Sequence, residues 1–92
     1  MQKIGLIAGN RKFPLLFAAS AKKKNCYIVA IAIKGDTSPK LRHLVDKIYW
    51  LTLADFHKMP GIFNSQGIKD VVMAGQISPR RLFSQEINKS EE

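Results

Sequence analysis

Four apolar runs divide the chain, and polar or basic segments separate them. Ile4–Ala8, Tyr27–Ile33, Lys47–Leu51 and Val71–Ala74 have the length of strands, and the second, YIVAIAI, is rich in β-branched residues. The runs are continuous rather than alternating, which predicts strands buried on both faces, as in a parallel sheet. Between them the period changes. Pro14 suits the first turn of a helix, followed by Leu15, Leu16, Ala18, Ala19 and Ala21 as helix formers. Lys22, Lys23 and Lys24 fill the last turn, and Asn25 is a suitable stop. Thr37-Ser38-Pro39 reads as loop and Lys40–Val45 as a short helical turn. Phe56, Met59, Ile62 and Phe63 have helical spacing within Ala54–Gln66, but Pro60-Gly61 interrupts it, so two short helices or a kink are expected, with Gly67 as the stop.

The resulting order, β-α-β-turn-β-α-β with short connections, predicts an α/β fold. The expected architecture is a Rossmann-like three-layer domain with a four-stranded, mainly parallel sheet in the order 3-2-1-4. Residues 1–85 form this domain, and 86–92 read as a polar tail or the start of a linker. Two open sheet edges make a homo-oligomer or a further domain a reasonable expectation.

Open α/β sheets bind ligands beyond the carboxyl ends of their strands, where the strand order reverses. Here that point falls between strands one and four, whose loops are Gly9-Asn10-Arg11-Lys12-Phe13 and Gly75-Gln76-Ile77-Ser78-Pro79-Arg80. Both open with glycine and both carry cations. Gly9 permits close backbone approach, the N-terminus of the Pro14 helix attracts anions, and Arg11, Lys12, Lys34, Arg80 and Arg81 crowd one rim. The candidate substrate-binding residues are therefore Gly9, Asn10, Arg11, Phe13, Gly75, Gln76 and Arg80. The glycines would give backbone access, Asn10 and Gln76 hydrogen bonds, and the arginines phosphate contacts.

The bulk numbers agree with an anionic partner. The formal charge is +8, from 15 Lys and Arg against 7 Asp and Glu. Lys22, Lys23 and Lys24 are sufficiently explained by the helix dipole, and no nucleic-acid motif or exposed aromatic interleaving accompanies them, which ranks nucleic acid last. A non-enzymatic domain that binds a nucleotide or another phosphorylated ligand is the alternative to an enzyme fragment. The single cysteine, Cys26, favours a reducing cytoplasm and reads as a packed thiol. Asp36 and Asp46 stand where ribose-binding acids could lie, although Asp46 reads better as a strand start. His43 and His57 have no metal-ligand neighbours at useful spacing, and Tyr49 and Trp50 read as core or interface. No nucleophile, base and orienting group form a set, so no catalytic residue is assigned.

Three segments in order carry a family resemblance: GLIAGNRKFP at Gly5–Pro14, DKIYWLTL at Asp46–Leu53 and GIKDVVMAGQISPRRLF at Gly67–Phe83. Together they resemble the N-terminal domain of LpxI-type UDP-2,3-diacylglucosamine pyrophosphatases, whose members open with GLIAG-x-G-x-LP and carry a VVMAG segment followed by proline and a basic residue. The resemblance implies a hydrolase of lipid A biosynthesis. Such an enzyme cleaves its UDP-linked acylated sugar with a divalent metal, usually Mg2+, to UMP and the acylated sugar phosphate. It also implies a cytoplasmic protein in peripheral contact with the inner membrane. Two positions depart from the pattern: Arg11 replaces a glycine and Phe13 a leucine. The family's catalytic acidic residues and metal ligands lie in a C-terminal domain that this chain lacks. The chain is thus expected to be a fragment, inactive alone and binding no metal by itself.

Overall fold

The computed structural model describes residues 2–76. Four strands, β1 (Lys3–Ala8), β2 (Tyr27–Ile33), β3 (Lys47–Leu51) and β4 (Asp70–Ala74), form one sheet in the order β3-β2-β1-β4. All three pairings are parallel, with Leu6 opposite Ala30 on one side and Val72 on the other. The expected fold class and strand order are therefore those of the molecule.

Helix α1 (Phe13–Lys23) and a 3-10 turn (Pro39–His43) cover one face of the sheet. They pack Ala18, Ala21 and Leu41 onto Leu6, Ala8, Ile28 and Ala30. A 3-10 segment (Leu53–Lys58) running into helix α2 (Met59–Ser65) covers the other, where Phe63 and Ile68 meet Val29 and Ile31. The interrupted pattern of Ala54–Gln66 thus resolves into two short helices, and Pro60 opens α2 rather than breaking it. Strand β2 lies between the two layers with six of its seven residues buried. That position is why its sequence shows no alternation.

Both helices end in the same way. After α1, Asn25 has φ +60°, its N–H reaches Lys22 O at 3.0 Å, and Cys26 N–H reaches Ala21 O at 3.0 Å. After α2, Gly67 has φ +70°, its N–H reaches Asn64 O at 3.1 Å, and Ile68 N–H reaches Phe63 O at 3.0 Å. These are Schellman pairs, which satisfy the last helical carbonyls and send an apolar residue back into the core. Asp46 settles as a structural residue. Its Oδ2 accepts the Ile28 N–H at 2.7 Å while its own N–H bonds Ile28 O at 3.0 Å, fixing the start of β3 at the amino end of the sheet. The ribose-binding alternative for Asp46 would require the opposite end.

Candidate functional site at the carboxyl rim of the sheet

Beyond the ends of β1 and β4 the two loops interlock through their backbones. Gly9 N–H donates to Ala74 O at 2.8 Å and Asn10 N–H to Gln76 O at 2.6 Å, which makes an isolated antiparallel bridge between Asn10 and Gln76. The approach is too close for a side chain on either glycine. A Cβ at Gly9 would stand 2.6 Å from Gln76 N; one at Gly75 would stand 2.5 Å from Asn10 O and 3.0 Å from the Pro14 ring. Gly75 also has φ +84°. The two glycines that open the loops in sequence are therefore the two that let the loops touch.

Four of the expected residues, Gly9, Asn10, Gly75 and Gln76, are brought together by this latch. Asn10 Oδ1 is buried and has no hydrogen-bond partner among the described residues, whereas Gln76 is exposed. Arg11, Lys12 and Phe13 follow directly and are all exposed. Arg11 has φ +71°, a left-handed conformation that a side chain ordinarily disfavours. Lys12, the next residue, is right-handed at φ −88°, ψ −20°. Successive residues of opposite hand turn their N–H groups toward a common concavity suited to an anion. Immediately after it begins α1, with Pro14 in its first turn, no acidic residue there and no capping bond from the side chain of Lys12, its N-cap residue. The loop thus offers backbone donors, a positive helix end and two exposed cations at the carboxyl rim of the sheet.

Lys34 is exposed, and its N–H bonds Leu51 O at 2.9 Å, so its backbone continues the β2–β3 side of the rim. Arg80 and Arg81 lie outside the described residues. Among the described residues no three His, Cys, Asp or Glu side chains converge on a point that could hold a metal ion. His57 is exposed and faces its own backbone at Ala54 O, 3.0 Å away. Cys26 is half-buried against the α1 side of the core, and Tyr49 packs on the α2 side with its hydroxyl accepting from Gln66 Nε2 at 3.1 Å.

Two features escaped the sequence. Thr37, taken as loop, is buried; its Oγ1 donates to Ala8 O at 2.6 Å and accepts from Ile33 N–H at 2.9 Å, tying the ends of β1 and β2 together beside Gly9. The second is the orientation of α1. Pro14, Ala18 and Ala21 face the sheet, while Phe13 and Leu16 are 67% and 62% exposed. The available signal was the spacing of those three small residues on one helical face.

No curated protein matches the sequence significantly. The family model that does match describes the LpxI N-terminal domain and covers residues 3–91. Its span takes in both loops of the latch and nearly the whole chain. The chain belongs to the LpxI N-terminal domain family.

Proposed function

We propose that this domain forms the phosphate-facing wall for a UDP-linked acylated sugar, UDP-2,3-diacylglucosamine, in a pyrophosphatase of lipid A biosynthesis. The observation that carries the reading is the Gly9–Gly75 latch, which presents the Arg11–Lys12 turn and the start of α1 at the carboxyl rim. Gly9 and Gly75 let the two loops meet backbone to backbone, which fixes the Arg11–Lys12 turn beside the start of α1. Asn10 and Gln76 supply hydrogen bonds, Arg11 a phosphate contact, and Phe13 an apolar edge.

Hydrolysis itself is assigned to the C-terminal domain of the family's enzymes. The reading gives this domain binding and orientation rather than metal chemistry. A lipid substrate would be met at the cytoplasmic face of the inner membrane, by peripheral contact. No helix among the described residues is long and apolar enough to cross a membrane.

The test is a titration of the chain with UDP and with UDP-2,3-diacylglucosamine, followed through backbone amide shifts. Shifts centred on residues 9–13 and 75–76 are expected, and Arg11→Ala should weaken UDP roughly tenfold by removing a charge-assisted phosphate contact. Unchanged UDP affinity in Arg11→Ala, or shifts confined to other regions, would remove the reading.

A further inference from the structure

The two layers that cover the sheet differ in charge. Helix α1 with its N-cap carries Lys12, Lys22, Lys23 and Lys24, and the 3-10 turn beside it carries Lys40 and Arg42. All six are exposed, and neither element has an acidic residue. Lys22 Nζ donates to His43 O at 3.4 Å, which sets the lysine-rich end of α1 against the end of the 3-10 turn. The opposite layer, from Leu53 to Ser65, has one lysine and one carboxylate, and these pair: Lys58 Nζ lies 3.5 Å from Asp55 Oδ1. The helix dipole accounts for the lysines in the last turn of α1, but not for Lys12 at its start, where a cation is disfavoured. Helix α1 also exposes Leu16, which falls on the same stripe as Lys12 and Lys23 by helical spacing.

We propose that the α1 layer is the face that this domain lays on an anionic bilayer. Headgroup phosphates attract the cations, and the acyl boundary beneath them takes the exposed leucine. Leu16 decides against nucleic acid, which has phosphates for the cations and no apolar layer for a leucine. A second copy of this chain would bring the same positive charge to the contact. In this orientation the carboxyl rim stands beside the leaflet, and the α2 layer is turned to water. The inference rests on the peripheral contact proposed above, to which it gives a face. It is independent of the phosphate site, because Arg11 and the latch take no part in it.

The 92-residue chain is sedimented with vesicles of phosphatidylcholine alone and of phosphatidylcholine mixed with phosphatidylglycerol. Binding is expected to the mixed vesicles only and should fall as salt rises. Lys23→Gln combined with Lys24→Gln should weaken it roughly fivefold for each cation removed. Lys47→Gln with Lys58→Gln takes the same charge from the other layer, where Lys47 Nζ meets Gln66 Oε1 and Lys58 meets Asp55, and should have a much smaller effect. Leu16→Gln should weaken binding severalfold. All five side chains are exposed, so the fold should be kept, as an unchanged denaturation midpoint will show. Equal losses from the two lysine pairs would mean that net charge alone drives adsorption, and would overturn the face. Binding no tighter to the mixed vesicles than to phosphatidylcholine would also overturn it. Tighter binding to single-stranded RNA at the same salt, untouched by Leu16→Gln, would put nucleic acid in place of the bilayer. UDP affinity should be unchanged in the Lys23, Lys24 variant. Vesicle binding without UDP binding would therefore remove the phosphate site and leave this face standing, and the reverse result would remove the face alone.

Discussion

Arg11 holds two opposed properties at one position. Its backbone is left-handed at φ +71°, where glycine is at ease and an L side chain costs roughly 1–2 kcal/mol. The family resemblance places a glycine at this point of the pattern, and the backbone has kept the conformation that glycine would explain. What the side chain adds is a cation at the mouth of the candidate site. Arg11→Gly is therefore expected to raise stability by up to about 1 kcal/mol, after allowing for the greater chain freedom of glycine when unfolded. The same change should weaken UDP. Chemical denaturation paired with nucleotide titration checks both, and the two effects should have opposite signs. Loss of stability together with affinity would mean that the arginine is instead a structural contact. None of this was visible in the bare identity of the residue, because a dihedral angle is set by the latch on either side of it.

At the level of elements, the four strands and their order were legible because continuous apolar runs of strand length separated by turn residues have few alternative arrangements. Asn25 and Gly67 were legible as helix stops for the same local reason, that each tolerates a left-handed angle. The matched Schellman pairs explain what these stops accomplish: they set Cys26 and Ile68 into opposite faces of the core. Gly67→Ala should accordingly destabilise by about 1 kcal/mol, seen as a lower denaturation midpoint with an unchanged denaturant slope. The direction in which α1 faces was not legible in the same way. Leu16 reads as core by its chemistry, but the sheet beneath α1 accepts the smaller Ala18 and Ala21. Closeness of packing, rather than hydrophobicity, selected the buried stripe. Thr37 escaped for a related reason, since its two hydrogen bonds are to strands that only the folded sheet brings together.

Among the described residues the sheet is covered unevenly. Strand β2 is covered on both faces, whereas β4 lies at an edge with Val71 45% and Met73 68% exposed. An edge of this kind invites pairing with another strand unless charge guards it. We propose that a second copy can pair with this edge; Met73→Lys should then lower self-association, measured by sedimentation at rising protein concentration, with little change in unfolding stability. The candidate site was legible at this scale as a place, the carboxyl rim where β1 meets β4, and its glycines and first cations were legible by number. The exposure of Phe13 and Leu16 was not, because it is set only when α1 docks on the sheet.

The bridge between Asn10 and Gln76 also imposes an order in time. Its two halves stand near opposite ends of the described chain, so a growing polypeptide carries Arg11 and the start of α1 long before it carries the strand that locks them. Closing so long a loop is slow compared with forming the local contacts of β1, α1 and β2. The anion-facing turn is therefore among the last features to acquire its shape during synthesis. A nascent chain stopped short of Gly75 would hold the cations without the latch that positions them.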